Sequence, residues 1–91
     1  MPLNPKSRQA LKAKAHILKP IILIGNKGLT EAVQKEIDRA LRDHELIKVR
    51  IATIDRDVKC AIYAEICAFQ QAEAVQLIGN IAVVYRKNLD K

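Results

Sequence analysis

The sequence predicts an α/β (α+β) fold of order α-β-α-β-α-β-β: one small mixed four-stranded sheet layered with helices. Three observations predict it. Apolar residues switch repeatedly between helical and strand periodicity along the 91 residues. A glycine turn, Gly25-Asn26-Lys27-Gly28, joins an apolar run to an amphipathic one. A Gly79-Asn80 pair separates two β-type runs near the end, a hairpin signal. The length suits one domain over residues 1–91, with 1–5 and 87–91 expected to be flexible.

Each element has a local reason. Lys6 to Ala15 is a run of good helix formers. Leu11, Ala15 and Leu18 or Ile17 are expected to form its apolar stripe, with Arg8 and Lys12 on a polar face. Pro20 pushes Lys19 out of the helical region and ends this segment. Ile21-Ile22-Leu23-Ile24 is continuously apolar and reads as a strand covered on both faces. Thr30 is placed to cap a second helix, with Glu31 in its first turn and an end near His44. Val33, Ile37, Ala40, Leu41 and His44 mark one face of that helix; Gln34, Lys35, Asp38, Arg39 and Arg42 mark the other.

Ile47-Lys48-Val49-Arg50-Ile51 alternates strictly, so Lys48 and Arg50 share one face of a strand. Asp55 and Asp57 are candidate caps for a third helix running to about Gln70, with Val58, Ile62, Ile66 and Phe69 as its stripe. Ala74–Ile78 and Ile81–Tyr85 are the hairpin strands. Both β-α-β steps have crossover lengths suited to parallel pairing.

Charge is unevenly spread. Lys6, Arg8, Lys12, Lys14, Lys19 and Lys27 occupy the first thirty residues without one acid, and the other residues balance, so the net charge of +6 arises entirely there. Such a segment points to a polyanionic partner. No apolar run is long enough for a membrane span, and Met1–Lys6 lacks the apolar core of a signal peptide, so a cytoplasmic protein is expected. The first helix lacks the aromatic or leucine-rich face of a membrane-surface helix.

Enzymatic and metal constellations are missing from the sequence. Ser7 is the only serine and has no neighbouring histidine; His16 reads as a structural hydrogen-bonder. The glycine turn fits neither the phosphate-loop pattern GxxxxGK[ST] nor the dinucleotide pattern GxGxxG. Cys60 and Cys67 lie seven apart, two helical turns, too far to bridge, and match no zinc spacing. No catalytic residue, metal ligand or cofactor is therefore assigned. A GxxG turn can instead clamp a nucleic-acid backbone, because small residues let a phosphate approach backbone N–H groups at a helix N-terminus. With only Tyr63, Phe69 and Tyr85 as aromatics, base-stacking platforms are absent and backbone recognition is expected.

Three blocks together resemble the CRM domain (chloroplast RNA splicing and ribosome maturation) in its bacterial YhbY form: Leu18–Glu31 across the glycine turn, His44–Val49, and Gly79–Arg86. The resemblance implies a βαβαββ core like the C-terminal domain of translation initiation factor three, preceded by a helix. It implies RNA binding and association with precursors of the large ribosomal subunit. The family's GxxG loop maps onto Gly25, Asn26, Lys27 and Gly28, its lysine after the second helix onto Lys48, and its terminal tyrosine-arginine onto Tyr85 and Arg86. Many plant relatives have Gly-Gly where this chain has Ala72-Glu73, so nothing is carried over there.

The expected function is non-catalytic binding of ribosomal RNA in a pre-large-subunit particle, by a monomer, without a small-molecule substrate or membrane contact. The expected RNA-binding residues are Gly25, Asn26, Lys27, Gly28, Lys6, Arg8, Lys12, Lys14, Lys19, Lys48, Arg50 and Arg86. The alternative is a ribosome-associated protein-interaction module whose basic helix is only solvated.

Overall fold

The computed structural model describes residues 4–25 and 27–88. Its elements are α1 (Pro5–Ala15), β1 (Ile22–Ile24), α2 (Glu31–His44), β2 (Leu46–Ile51), α3 (Arg56–Gln70), β3 (Glu73–Ile78) and β4 (Ile81–Tyr85). The order and type of every element agree with the sequence-based expectation. The lead-in is shorter than expected. Asn4 caps α1 by accepting from the Ser7 N–H at 2.7 Å, and Pro5 is the first helical residue, where its missing N–H costs nothing. At the other end, within the tail expected to be flexible, Asn88 makes hydrogen bonds to the Leu41 and Arg42 carbonyls and to Glu45.

The sheet order is β1-β2-β4-β3. β1 pairs with β2 in parallel, as expected. The second crossover departs from expectation: β2 and β3 run in the same direction but do not pair, because β4 lies between them, antiparallel to both. Burial gives the reason. Ala82, Val83 and Val84 are all buried, a strand covered on both faces, and such a strand belongs at the centre of a sheet. β1 instead sits at an edge, and its second face is open: Ile22 and Ile24 are buried, whereas Leu23 is 60% exposed.

Two apolar layers follow. On one face, α2 and α3 bury Ile37, Leu41 and Ile66 against Ile24, Ile47, Val49, Ile51 and Val84. On the other, α1 lays Ala15 and Leu11 against Val75, Val83, Leu46 and Tyr85. The stripe of α1 differs from the expected one. Ile17 and Leu18 follow the helix and remain exposed, and the half-buried Arg8 and Lys12 share the inward side with Leu11 and Ala15.

The α3 stripe is also rotated. Tyr63 and Gln70 are buried beside Ile66, whereas Phe69 is 67% exposed and Val58 is also exposed. The buried polar tips account for the rotation. The Tyr63 hydroxyl donates to the Val83 carbonyl and accepts from the Gln76 N–H, where β3 shifts register between Ala74 and Gln76. Gln70 donates to the carbonyl and side-chain oxygens of Gln34, each at 2.9 Å, which buries Gln34 on α2.

Candidate nucleic-acid interface

The carboxyl ends of β1 and β2 meet at one end of the sheet. The Ala52 N–H donates to the Ile24 carbonyl at 2.9 Å, and the Ile51 N–H to the Asn80 carbonyl at 2.7 Å, so the hairpin turn lies at the same end. β1 passes directly into the glycine turn. The Gly28 N–H closes it onto the Gly25 carbonyl at 3.0 Å, and Gly28 has φ +73, a left-handed conformation that suits glycine. Beyond their chain neighbours, no heavy atom lies within 4 Å of a Cβ built on Gly25 or Gly28. Leu29 packs against the core and anchors the turn from below. Thr30 caps α2 by accepting from the Val33 N–H at 3.2 Å. The free N–H groups of the first turn of α2 and the positive end of its dipole therefore lie beside an exposed Lys27.

The other expected contact residues fall into distinct places. Lys6, Lys14 and Lys19 are exposed in and after α1. Arg8 is half-buried, with its Nε buried. Lys12 borders a shallow groove of about 180 Å3 between α1 and the sheet, with His16 and Lys48. Lys48 is tethered by a 3.0 Å hydrogen bond to the Leu18 carbonyl, so it fixes the α1–β1 connection as well as contributing charge. Arg50 lies on the same sheet face, exposed, and pairs across strands with Leu23 and Ile81. Asn26 lies outside the described residues.

Arg86, expected at the interface, is engaged within the protein. Its side chain is 18% exposed. Nη2 contacts Asp38 Oδ1 at 3.0 Å and donates to the Asp38 carbonyl at 3.2 Å; Nη1 donates to Gln70 Oε1 at 3.1 Å and to the Gln70 carbonyl at 3.3 Å. It cross-links α2 to the end of α3, and it lies at the opposite end of β4 from the hairpin turn. A strand-terminal arginine gives no sign of this in sequence, because its partners are 48 and 16 residues away.

Two cations that the sequence reading left outside the site lie at the hairpin-turn end of the fold. Arg56 is exposed at the start of α3, just past the carboxyl end of β2. Lys59 donates to the Gly79 carbonyl and to Asn80 Oδ1, each at 3.1 Å, and so holds the hairpin turn. Their position inside a helix start masked them as ordinary first-turn residues.

The titratable groups with displaced pKa values belong to the core. Burial pushes the Tyr63 phenol up to about 12, helped by Cys67. Burial, then the charge of Glu73, pushes the Cys67 thiol up to about 11, which makes it a poor nucleophile at neutral pH. Both cysteines are free thiols, and among the described residues no group of acidic, His and Cys side chains could hold a metal ion. No helix among the described residues is long and apolar enough to cross a membrane.

A family model, the CRS1/YhbY (CRM) domain, matches residues 3–86. The chain belongs to the CRM domain family. A Haemophilus influenzae relative named as an RNA-binding protein is 48% identical over 92% of this chain and 85% of its own length. A Pseudomonas aeruginosa relative, named a probable RNA-binding protein, is 46% identical over 97% of this chain and 85% of its own. The solution structure of a Staphylococcus aureus protein, described there as a candidate for RNA binding, superposes with a TM-score of 0.84 at 35% identity, covering 94% of this chain and 90% of that one. In this CRM domain, the motif residues Gly25, Lys27 and Gly28 share one end of the sheet with Arg50.

Proposed function

We propose that this CRM domain is a non-catalytic RNA-binding protein acting in the cytoplasm as a monomer, and that its RNA is ribosomal RNA in precursors of the large subunit. The observation that carries the reading is the open Gly25–Gly28 turn at the capped N-terminus of α2, beside Lys27. The turn and the first N–H groups of α2 hold a phosphate. Lys27, with Arg50 on the adjoining sheet face, neutralises neighbouring phosphates. Lys6, the half-buried Arg8, Lys12, Lys14 and Lys19 extend the field along α1, with Lys48, tethered to the Leu18 carbonyl, on the strand beneath. The names of the relatives support RNA as the polyanion.

Salt titration of binding to ribosomal RNA fragments tests this. With about five phosphate contacts, log affinity should fall against log salt with a slope of roughly −3 to −5, and Lys27→Gln should reduce the slope by about 1. At Gly25 a Cβ meets no heavy atom within 4 Å beyond the chain neighbours and φ is not positive, so Gly25→Leu, which puts a side chain on the turn, should weaken binding in a folded protein. A salt-independent affinity overturns the reading. Unchanged affinity in a folded Gly25→Leu, Lys27→Glu double variant favours a protein-interaction module instead.

A further inference from the structure

The end of the sheet that α1 leaves uncovered carries a row of side chains beside the phosphate turn, of which only Arg50 serves the phosphates. Leu23, Arg50, Ile81 and Ile78 are successive cross-strand partners through β1, β2, β4 and β3. Cross-strand partners share a face. Val49, Ile51 and Ala82 alternate with this row and are buried under α2 and α3, so the row belongs to the opposite face. Leu23 is 60% and Ile78 59% exposed, Arg50 is exposed, and Ile81 is half-buried. The row is roughly 14 Å long, three strand spacings.

Two features say what covers it. The first is charge. The row holds no acid; Arg50 sits within it, and Lys12, His16 and Lys48 border the adjoining groove. The second is continuity. Leu23 precedes Gly25 by two residues, about 7 Å along the strand, so a nucleotide whose phosphate rests on the turn has its base within reach of the row. A guanidinium plane between aliphatic side chains suits a flat heterocycle: the arginine stacks on its face, the leucine and isoleucines pack against it, and its polar edge stays in water.

We propose that the Leu23–Arg50–Ile81–Ile78 row docks unpaired nucleobases of the RNA strand held at the glycine turn, an aliphatic and arginine platform in place of an aromatic one. The proposal rests on the RNA-binding reading above and narrows its ligand to single-stranded segments, because duplex bases hide their faces in the stack.

The test compares two probes with equal phosphate counts: an unstructured RNA strand of about ten nucleotides and the same strand made abasic at its central positions. The wild-type protein should bind the intact strand about tenfold more tightly. Arg50→Lys keeps the charge and loses the plane; Leu23→Ser removes exposed apolar surface. Both are surface changes that leave the core intact, which circular dichroism verifies. Each should shrink the intact-to-abasic ratio towards about two, and Leu23→Ser, which touches no cation, should leave abasic affinity and salt slope unchanged. Equal wild-type affinity for the two probes, with salt-dependent binding retained, overturns the platform and leaves the RNA-binding reading standing. Variants that weaken both probes equally also overturn it, since that marks a phosphate or folding role. Failure of every probe to bind at low salt removes both.

Discussion

Replacing Arg86 by alanine separates a folding role from an RNA role at the residue where the two readings diverge most. The substitution removes a donor from Gln70 Oε1, on a residue only 5% exposed, and one of two cations from Asp38. Leaving a buried acceptor short of its partner costs about 1–3 kcal/mol. Asp38 keeps its 3.1 Å contact with Arg42 and is 38% exposed, so the lost ion pair adds no more than about 1 kcal/mol. The sum, about 1–4 kcal/mol, corresponds to a fall in Tm of roughly 5–30 °C for a domain of this size. Urea unfolding measures the loss. RNA affinity is measured at low temperature, where the variant is still folded, and is expected to stay within about twofold of wild type. A loss below about 0.5 kcal/mol with a several-fold drop in RNA affinity would refute the structural assignment and return Arg86 to the interface.

The two glycines of the turn should part company in stability. Gly28→Ala forces a β-carbon into φ +73 and should destabilise by about 1 kcal/mol, whereas Gly25→Ala meets no strain and should be neutral or slightly stabilising, both read by urea unfolding. Alkaline pH should unfold the protein through Tyr63 and Cys67. Both acids have folded pKa values above their ordinary ones, so their contribution is complete below about pH 9 and is lost as pH rises through about 11 to 12. Tyr63→Phe and Cys67→Ala should each flatten that limb of the pH–stability curve. At pH 8, alkylation followed by mass spectrometry should find the exposed Cys60 modified well before Cys67, and equal rates would contradict the burial of Cys67.

The elements were legible because their signals are local: an Asn or Thr cap, a proline, alternation at Lys48 and Arg50, a Gly-Asn turn. The strand order was not, because a hairpin signal pairs β3 with β4 without saying which of them docks on β2. The continuous apolar run Ile81–Val84 held that information, since only a central strand needs both faces apolar. The equally apolar Ile21–Ile24 misled in the other direction, for it lies at an edge with Leu23 open. The same limit applied to the site. Gly25, Lys27 and Gly28 are contiguous and readable, whereas the neighbours of Arg50 and Arg86 are set by register and by helix packing across long separations. One arginine therefore faces solvent on the open sheet face and the other stays inside, although both sit in or beside β-strands of similar composition.

The position of the candidate interface follows from how little of the sheet α1 can cover. Eleven helical residues span only about 16 Å, and the helix lies over β2 and β3 with Ala15 against Val75 and Val83. After it, the Lys48 tether and Pro20 carry the chain out to the edge, where the Ile21 N–H donates to the Lys48 carbonyl at 3.1 Å and β1 begins. Parallel pairing with β2 then sets the direction of β1, so its carboxyl end, and with it the glycine turn, must emerge at the end of the sheet that α1 leaves bare. In open α/β sheets the carboxyl ends of parallel strands are where ligands bind, because helix N-termini converge there. Here the same topology adds an uncovered sheet face beside the turn. A phosphate site and an apolar, cationic strip are thus neighbours through chain geometry alone.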